Sequence, residues 1–158
     1  MTARLIGTTF ISLLFATMFA SGCDSTRRRV PEGVWPWLPV RVDFHRMSRF
    51  VDLDGAEVLS LHLEFLDADG DPVKFSGPVT FRVIPENTLN ESWTFGYDLS
   101  NLRTNADHWD HVTSMYEFDI EVGWDDPPLK NTPIRIRVAA ESAQTGLLES
   151  GITVRRGD

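Results

Sequence analysis

The sequence predicts an all-β fold, an antiparallel β-sandwich of about seven to nine strands with one short helix near residues 104–113. Three observations predict it. Apolar residues recur at every second position in run after run from Val40 to Val154, the period of a half-buried strand. Turn-forming pairs and triplets separate the runs. The one long apolar stretch lies before Cys23, so the strands that follow belong to a domain with no expected membrane span of its own.

The N-terminus comes first. Arg4 is the only charged side chain before Cys23, and Leu5 to Ala20 is almost wholly apolar. A charged start, a short apolar run and small residues at its end make a secretory signal. The run falls short of the roughly 20 residues a spanning helix needs. Ala20, Ser21 and Gly22 directly precede Cys23. This junction resembles the lipobox of bacterial lipoproteins, with Ala20 standing where that motif usually has Leu. The resemblance implies removal of residues 1–22 and a diacylglycerol on the Cys23 sulfur. An ordinary cleaved signal with a leftover thiol, or an uncleaved anchor, is the plainer alternative.

Cysteine usage and charge agree with export. Cys23 is the only cysteine in 158 residues, which excludes an internal disulfide and any zinc site built on thiolates. The formal net charge is −8, and removing residues 1–22 takes away one Arg and no acid. Nucleic acid as a partner is disfavoured, since it needs basic surface.

Residues 23–38 read as a tether. Arg27, Arg28 and Arg29 stand close to the expected lipid, where anionic headgroups would attract them. Pro31, Pro36 and Pro39 stiffen the segment, and Trp35 and Trp37 suit a domain edge, a membrane interface or a partner site. Residues 39–158 form the sandwich domain, near the usual size of one domain.

The strands follow in order. Val40, Val42 and Phe44 share one parity, and Phe50 to Leu53 is a further short run. Leu59, Leu61, Leu63 and Phe65 alternate with Ser60, His62 and Glu64. Val73 and Phe75 suggest a short strand, and Val79, Phe81 and Val83 a longer one. Trp93, Phe95, Tyr97 and Leu99 come next, then Tyr116, Phe118, Ile120 and Val122. Ile134, Ile136 and Val138 precede a final run through Leu148, Ile152 and Val154. Asp54-Gly55, Asp69-Gly70, Ser76-Gly77-Pro78 and Gln144-Thr145-Gly146 supply turns between them. The interruption from Asn101 to Ser114 is the expected helix, capped by Thr104 or Asn105.

One hairpin carries a family resemblance. Leu63 to Val73, with Asp67, Gly70, Pro72 and Val73 at its turn, then Val79 and Phe81, is similar to a hairpin of bacterial immunoglobulin-like and prealbumin-like modules. The resemblance covers about 20 residues and implies a sandwich of the kind found in adhesion, anchoring and accessory modules.

Two constellations are candidate metal sites. Asp67, Asp69 and Asp71 cluster in one turn, and calcium takes six to eight oxygen ligands. Gly70 comes too early for an EF-hand loop and no Glu closes it, so a plain hairpin turn is the expected reading. His108 and His111 lie three apart, on one face if helical, and a transition metal accepts such a pair. A catalytic zinc needs a third protein ligand, which His45 or His62 supplies only if the fold brings it near. The alternative is a solvated helix with Trp109 and Val112 packed inward. Trp124 beside Asp125 and Asp126 suits sugar stacking or the closed end of a sandwich. No Gly-x-Ser-x-Gly elbow, His-Glu-x-x-His or phosphate-binding glycine loop is present.

The expected function is a lipid-anchored, non-enzymatic envelope module that binds a protein partner or serves an accessory role. It needs no cofactor, and its domain lies outside the cytoplasm. A calcium- or carbohydrate-binding module is the alternative, and a metal-dependent enzyme is the third reading.

Overall fold

Period-two alternation gives each strand one apolar face, and two such faces pack together as a sandwich. The computed structural model describes residues 38–86 and 91–157. Cys23, residues 1–22 and the tether through Trp37 lie outside the described residues. Nine strands and one helix form two antiparallel sheets among the described residues.

The first sheet contains β1 (Arg41–Phe44), β2 (Arg49–Leu53), β3 (Ala56–Leu66), β6 (Trp109–Asp110) and β7 (Met115–Ile120). β1 and β2 pair with successive halves of the same edge of β3, and β7 pairs with its other edge. β6 completes the sheet beyond β7. The second sheet has the order β5-β4-β8-β9, with β4 (Pro78–Pro85), β5 (Trp93–Asp98), β8 (Pro133–Ser142) and β9 (Gly146–Arg155). One sheet made of strands one, three, seven and six, facing one made of five, four, eight and nine, is the strand order of an immunoglobulin-like sandwich.

The turns obey local chemistry. Asp54 and Gly55 both take positive φ, 55° and 87°, as a two-residue hairpin between β2 and β3 requires. Asp52 Oδ1 accepts the Gly55 N–H at 2.8 Å. Gly77 is needed for space, because a Cβ there would lie 2.1 Å from the Glu141 carbonyl oxygen.

Phe118 sits at the middle of the core. It is fully buried, and its ring centroid lies 4.9 Å from Phe81, 4.8 Å from Tyr97 and 4.5 Å from His108. Leu59, Leu61 and Leu63 of β3 face Ile134, Ile136 and Val138 of β8 from the two inner sheet faces, all within one buried cluster. One lateral seam of the sandwich closes where β1 approaches β9. At the other seam a helix, α1 (Leu102–His108), follows β5 and leads into β6.

A buried polar network ties α1 to both layers. Tyr116 is fully buried, and its hydroxyl accepts the Phe75 N–H at 3.0 Å. The same oxygen lies 3.2 Å from the Phe75 carbonyl and 3.0 Å from Asn105 Oδ1. Asn105 Nδ2 donates to the carbonyls of Phe75 at 2.6 Å and Leu99 at 2.8 Å. A hydroxyl has one proton, and giving it to Asn105 Oδ1 satisfies every group in the set. Burial pushes the Tyr116 hydroxyl above its ordinary ionisation range, against the opposing pull of the Phe75 and Asn105 hydrogen bonds.

Three expectations need correction. The helix starts earlier and ends earlier than 104–113, because Asn101, not Thr104 or Asn105, caps it. Asn101 Oδ1 accepts the N–H groups of Arg103 at 2.9 Å and Thr104 at 3.3 Å. Trp109 and Asp110 leave the helix to pair with Tyr116 and Met115, and the Trp109 ring packs edge-on against Tyr116 at 4.9 Å. Val112 is not packed inward; it is 92 % exposed in the turn that follows. Val73 and Phe75 form no strand. Pairing with β3 is limited to one isolated bridge, Leu66 with Pro72, and the Val73 N–H on the Phe65 carbonyl at 2.8 Å. It goes no further because Pro72 has no N–H to give, and the Phe75 backbone spends its hydrogen bonds on the Tyr116 and Asn105 side chains.

Truncating Phe118 to Ala should cost about 3–5 kcal/mol of unfolding free energy, the range for deleting a buried aromatic ring. Denaturant titration of the wild-type and variant chains checks this. A loss under about 1 kcal/mol would remove Phe118 from the centre of the core.

Candidate functional site

The outward face of the first sheet carries a shallow trough of about 290 Å³. Its floor comes from β3, where Ser60 and His62 point away from the core. Pairing sets its walls. Ser60 stands opposite Arg49 of β2 on one side and Asp119 of β7 on the other, and His62 stands opposite Glu117. Val51 and Leu53 of β2 continue the first wall, and Met47 closes its end.

The break between β1 and β2 positions His62. Ser48 is buried there, and its hydroxyl replaces a strand partner. It accepts the His62 N–H at 3.0 Å and lies 3.3 Å from the His62 carbonyl. His45 N–H donates to that carbonyl at 2.8 Å. The His62 side chain is only 12 % exposed, with Nε2 3.8 Å from Glu117 Oε1. Met47 and Leu53 remain exposed beside it.

The trough therefore joins two carboxylates, a hydroxyl and an imidazole to a wall of aliphatic side chains and the Arg49 guanidinium. It can accept hydrogen bonds from a ligand while covering apolar carbon. Among the described residues no hydrogen bond joins Ser60 to His62, the link a nucleophile and its base use. Nothing in the period of β3 marks this site. Ser60 and His62 read as ordinary outward positions until pairing sets Arg49, Glu117 and Asp119 beside them.

The residues expected from the sequence fall as follows. Cys23 lies outside the described residues. Asp67 organises its turn. It is 4 % exposed, and its Oδ1 accepts the N–H groups of Asp69 and Asp71, each at 3.0 Å. The side chains of Asp69 and Asp71 are exposed. Unlike His111, His108 is half-buried and packs on the core. Its ring stacks on Phe118 at 4.5 Å, and Nδ1 lies 2.7 Å from the Glu117 carbonyl, which fixes the proton on that nitrogen. His111 is exposed and lies edge-on to Trp109 at 6.5 Å.

His62 does not join His108 either. Both meet Glu117, but His62 meets its carboxylate on the outer face and His108 its backbone beside the core. Among the described residues no three His, Cys, Asp or Glu side chains form a group that would hold a metal. Trp124 packs edge-on against Trp93 at 4.6 Å.

No family model, no curated protein and no solved structure matches this chain.

Purified chain should carry no stoichiometric zinc, copper or iron, and millimolar calcium should leave its melting temperature unchanged. Elemental analysis and thermal melts check both. One metal per chain, lost when His108 and His111 are replaced together, would overturn the first expectation. A calcium-dependent rise lost in Asp67→Asn would overturn the second.

Proposed function

We propose that the chain is a lipid-anchored, non-enzymatic module that presents a β-sandwich outside the cytoplasm and binds a protein partner there. The observation that carries this reading is Cys23. It is the only cysteine, and it directly follows Ala20, Ser21 and Gly22 at the end of an apolar run of signal length. A lone thiol in an exported chain needs a role, and lipidation supplies one.

The sandwich supports the binding half of the reading. Its outer trough brings exposed Met47 and Leu53 next to Arg49, Glu117 and Asp119, a mixture of apolar carbon and charged groups of both signs suited to a polar side chain of a partner. The placement of Asp67 supports a turn in place of a calcium loop, since one of its oxygens already serves two backbone N–H groups.

One buried acyl chain holds a protein marginally, while two hold it stably. The mature protein should therefore begin at Cys23 and remain with membranes washed in high salt or carbonate, and detergent should release it. Cys23→Ser should leave a longer precursor with its signal attached. Mass spectrometry of the mature N-terminus decides the matter. An unmodified Cys23 thiol, or cleavage at another bond, would end the lipid-anchor reading.

A further inference from the structure

The outward face of the β5-β4-β8-β9 sheet is divided by charge. In one half Arg82 of β4 stands directly opposite Arg137 of β8, and Arg135 is two residues away on the same face. Arg155 of β9 lies beyond them, opposite Pro133. Like charges placed directly opposite on a sheet repel. Local partners relieve only part of this. Arg82 Nε donates to Ser92 Oγ at 3.2 Å, and Arg135 lies 3.5 Å from Glu86. Arg155 donates to the Asn131 carbonyl at 3.0 Å. Among the described residues Arg137 has no hydrogen-bonding or ionic partner. Four arginines on one face are conspicuous in a chain of net charge −8.

The other half of the same face is acidic. Glu141 stands opposite Leu147, Glu149 opposite Ala139, and Asp98 opposite Pro78. Leu147 is 59 % exposed there. The remaining outward residues around the boundary are short: Thr94 stands opposite Arg82, Gly151 opposite Arg137, and Gly96 and Ala139 opposite Thr80. Two shallow hollows of about 250 Å³ each flank Gly151, one lined by Arg137 and Glu149 and the other by Arg135, Arg137 and Thr153. None of the outward strand positions is aromatic, so the face offers no stacking surface to a sugar or a base.

A face with a basic half and an acidic half complements a second copy of itself. Two such faces packed against each other are related by a two-fold axis lying in the interface. With that axis perpendicular to the strands, the strand direction reverses and each basic half meets an acidic half. An axis crossing the sheet between Arg137 and Ala139 sets Arg135 over Glu141 of the other copy and Arg137 beside Glu149. Four strands about 4.8 Å apart, with about 3.3 Å per residue, give a face of roughly 19 by 30 Å. Two copies would bury on the order of 1,200 Å², at the lower end for specific interfaces. We propose that this face joins two copies of the chain in an isologous dimer held by reciprocal Arg–Glu contacts. The proposal does not rest on the lipid-anchor reading.

The test uses the full chain in density-matched detergent, followed by sedimentation velocity across a micromolar concentration series. The wild-type chain should form a reversible dimer that weakens as salt rises from low to several hundred millimolar. Arg135→Glu with Arg137→Glu should be monomeric, and so should Glu141→Arg with Glu149→Arg. Circular dichroism and melting confirm that each variant is folded. Mixed in equal amounts, the two variants should pair again, because one then presents an acidic face and the other a basic one. A wild-type chain that stays monomeric throughout the series would overturn the proposal. So would a dimer that both variants keep, or folded variants that remain monomeric when mixed.

Discussion

The hydroxyl of Tyr116 is the constraint on which the rest of the sandwich depends. It is fully buried, so its proton and its acceptor oxygen each need a partner inside the protein. Those partners come from two stretches far apart in sequence, the irregular loop at Phe75 and the helix residue Asn105. Satisfying one oxygen therefore fixes a loop of the β3–β4 connection and the helix that follows β5. Asn105 extends the set to the Leu99 carbonyl, at the end of the strand that delivers the helix. A buried network of this kind is favourable only when complete, and this one is complete.

The placement of α1 decides what the neighbouring seam contains. With Asn105 held, His108 at the end of α1 lays its ring on Phe118 and donates to the Glu117 carbonyl. The chain then turns into β6 and pairs with β7, which presents Tyr116 and Phe118 inward and Glu117 and Asp119 outward. The core side of β7 thus serves packing, while its solvent side supplies one wall of the outer trough. The sheet that carries His62 and Glu117 is held from behind by this packing, so the trough rests on a rigid element.

Much of the fold is legible in the sequence, because strand period depends on which face is buried and both sheets bury one face. Leu59 to Phe65, Tyr116 to Ile120 and Ile134 to Val138 lie in the strands and on the face their alternation implies. The Asp54-Gly55 turn follows from backbone chemistry alone. What is not legible depends on tertiary partners. Val73 and Phe75 have the right spacing for a strand, but pairing stops at one bridge between Leu66 and Pro72 and the Val73 N–H on the Phe65 carbonyl, because side chains take the hydrogen bonds of the Phe75 backbone. Asn101 caps α1 where Thr104 or Asn105 was expected, because Asn105 is claimed by the buried hydroxyl. Ser48, which braces His62 where β1 breaks, leaves no signal in the alternation. The trough is hidden for the same reason, since its walls come from strands that only pairing brings together.

The central claim is that Tyr116 and Asn105 act as one unit linking loop, helix and sheet. A double-mutant cycle tests it most directly, with Tyr116→Phe, Asn105→Ala and the double variant compared by denaturant unfolding of the same chain. The account predicts a coupling energy of about 1–3 kcal/mol, because either single change already leaves buried groups unpaired. Additivity within about 0.5 kcal/mol would show that the two side chains act independently, and would contradict the account.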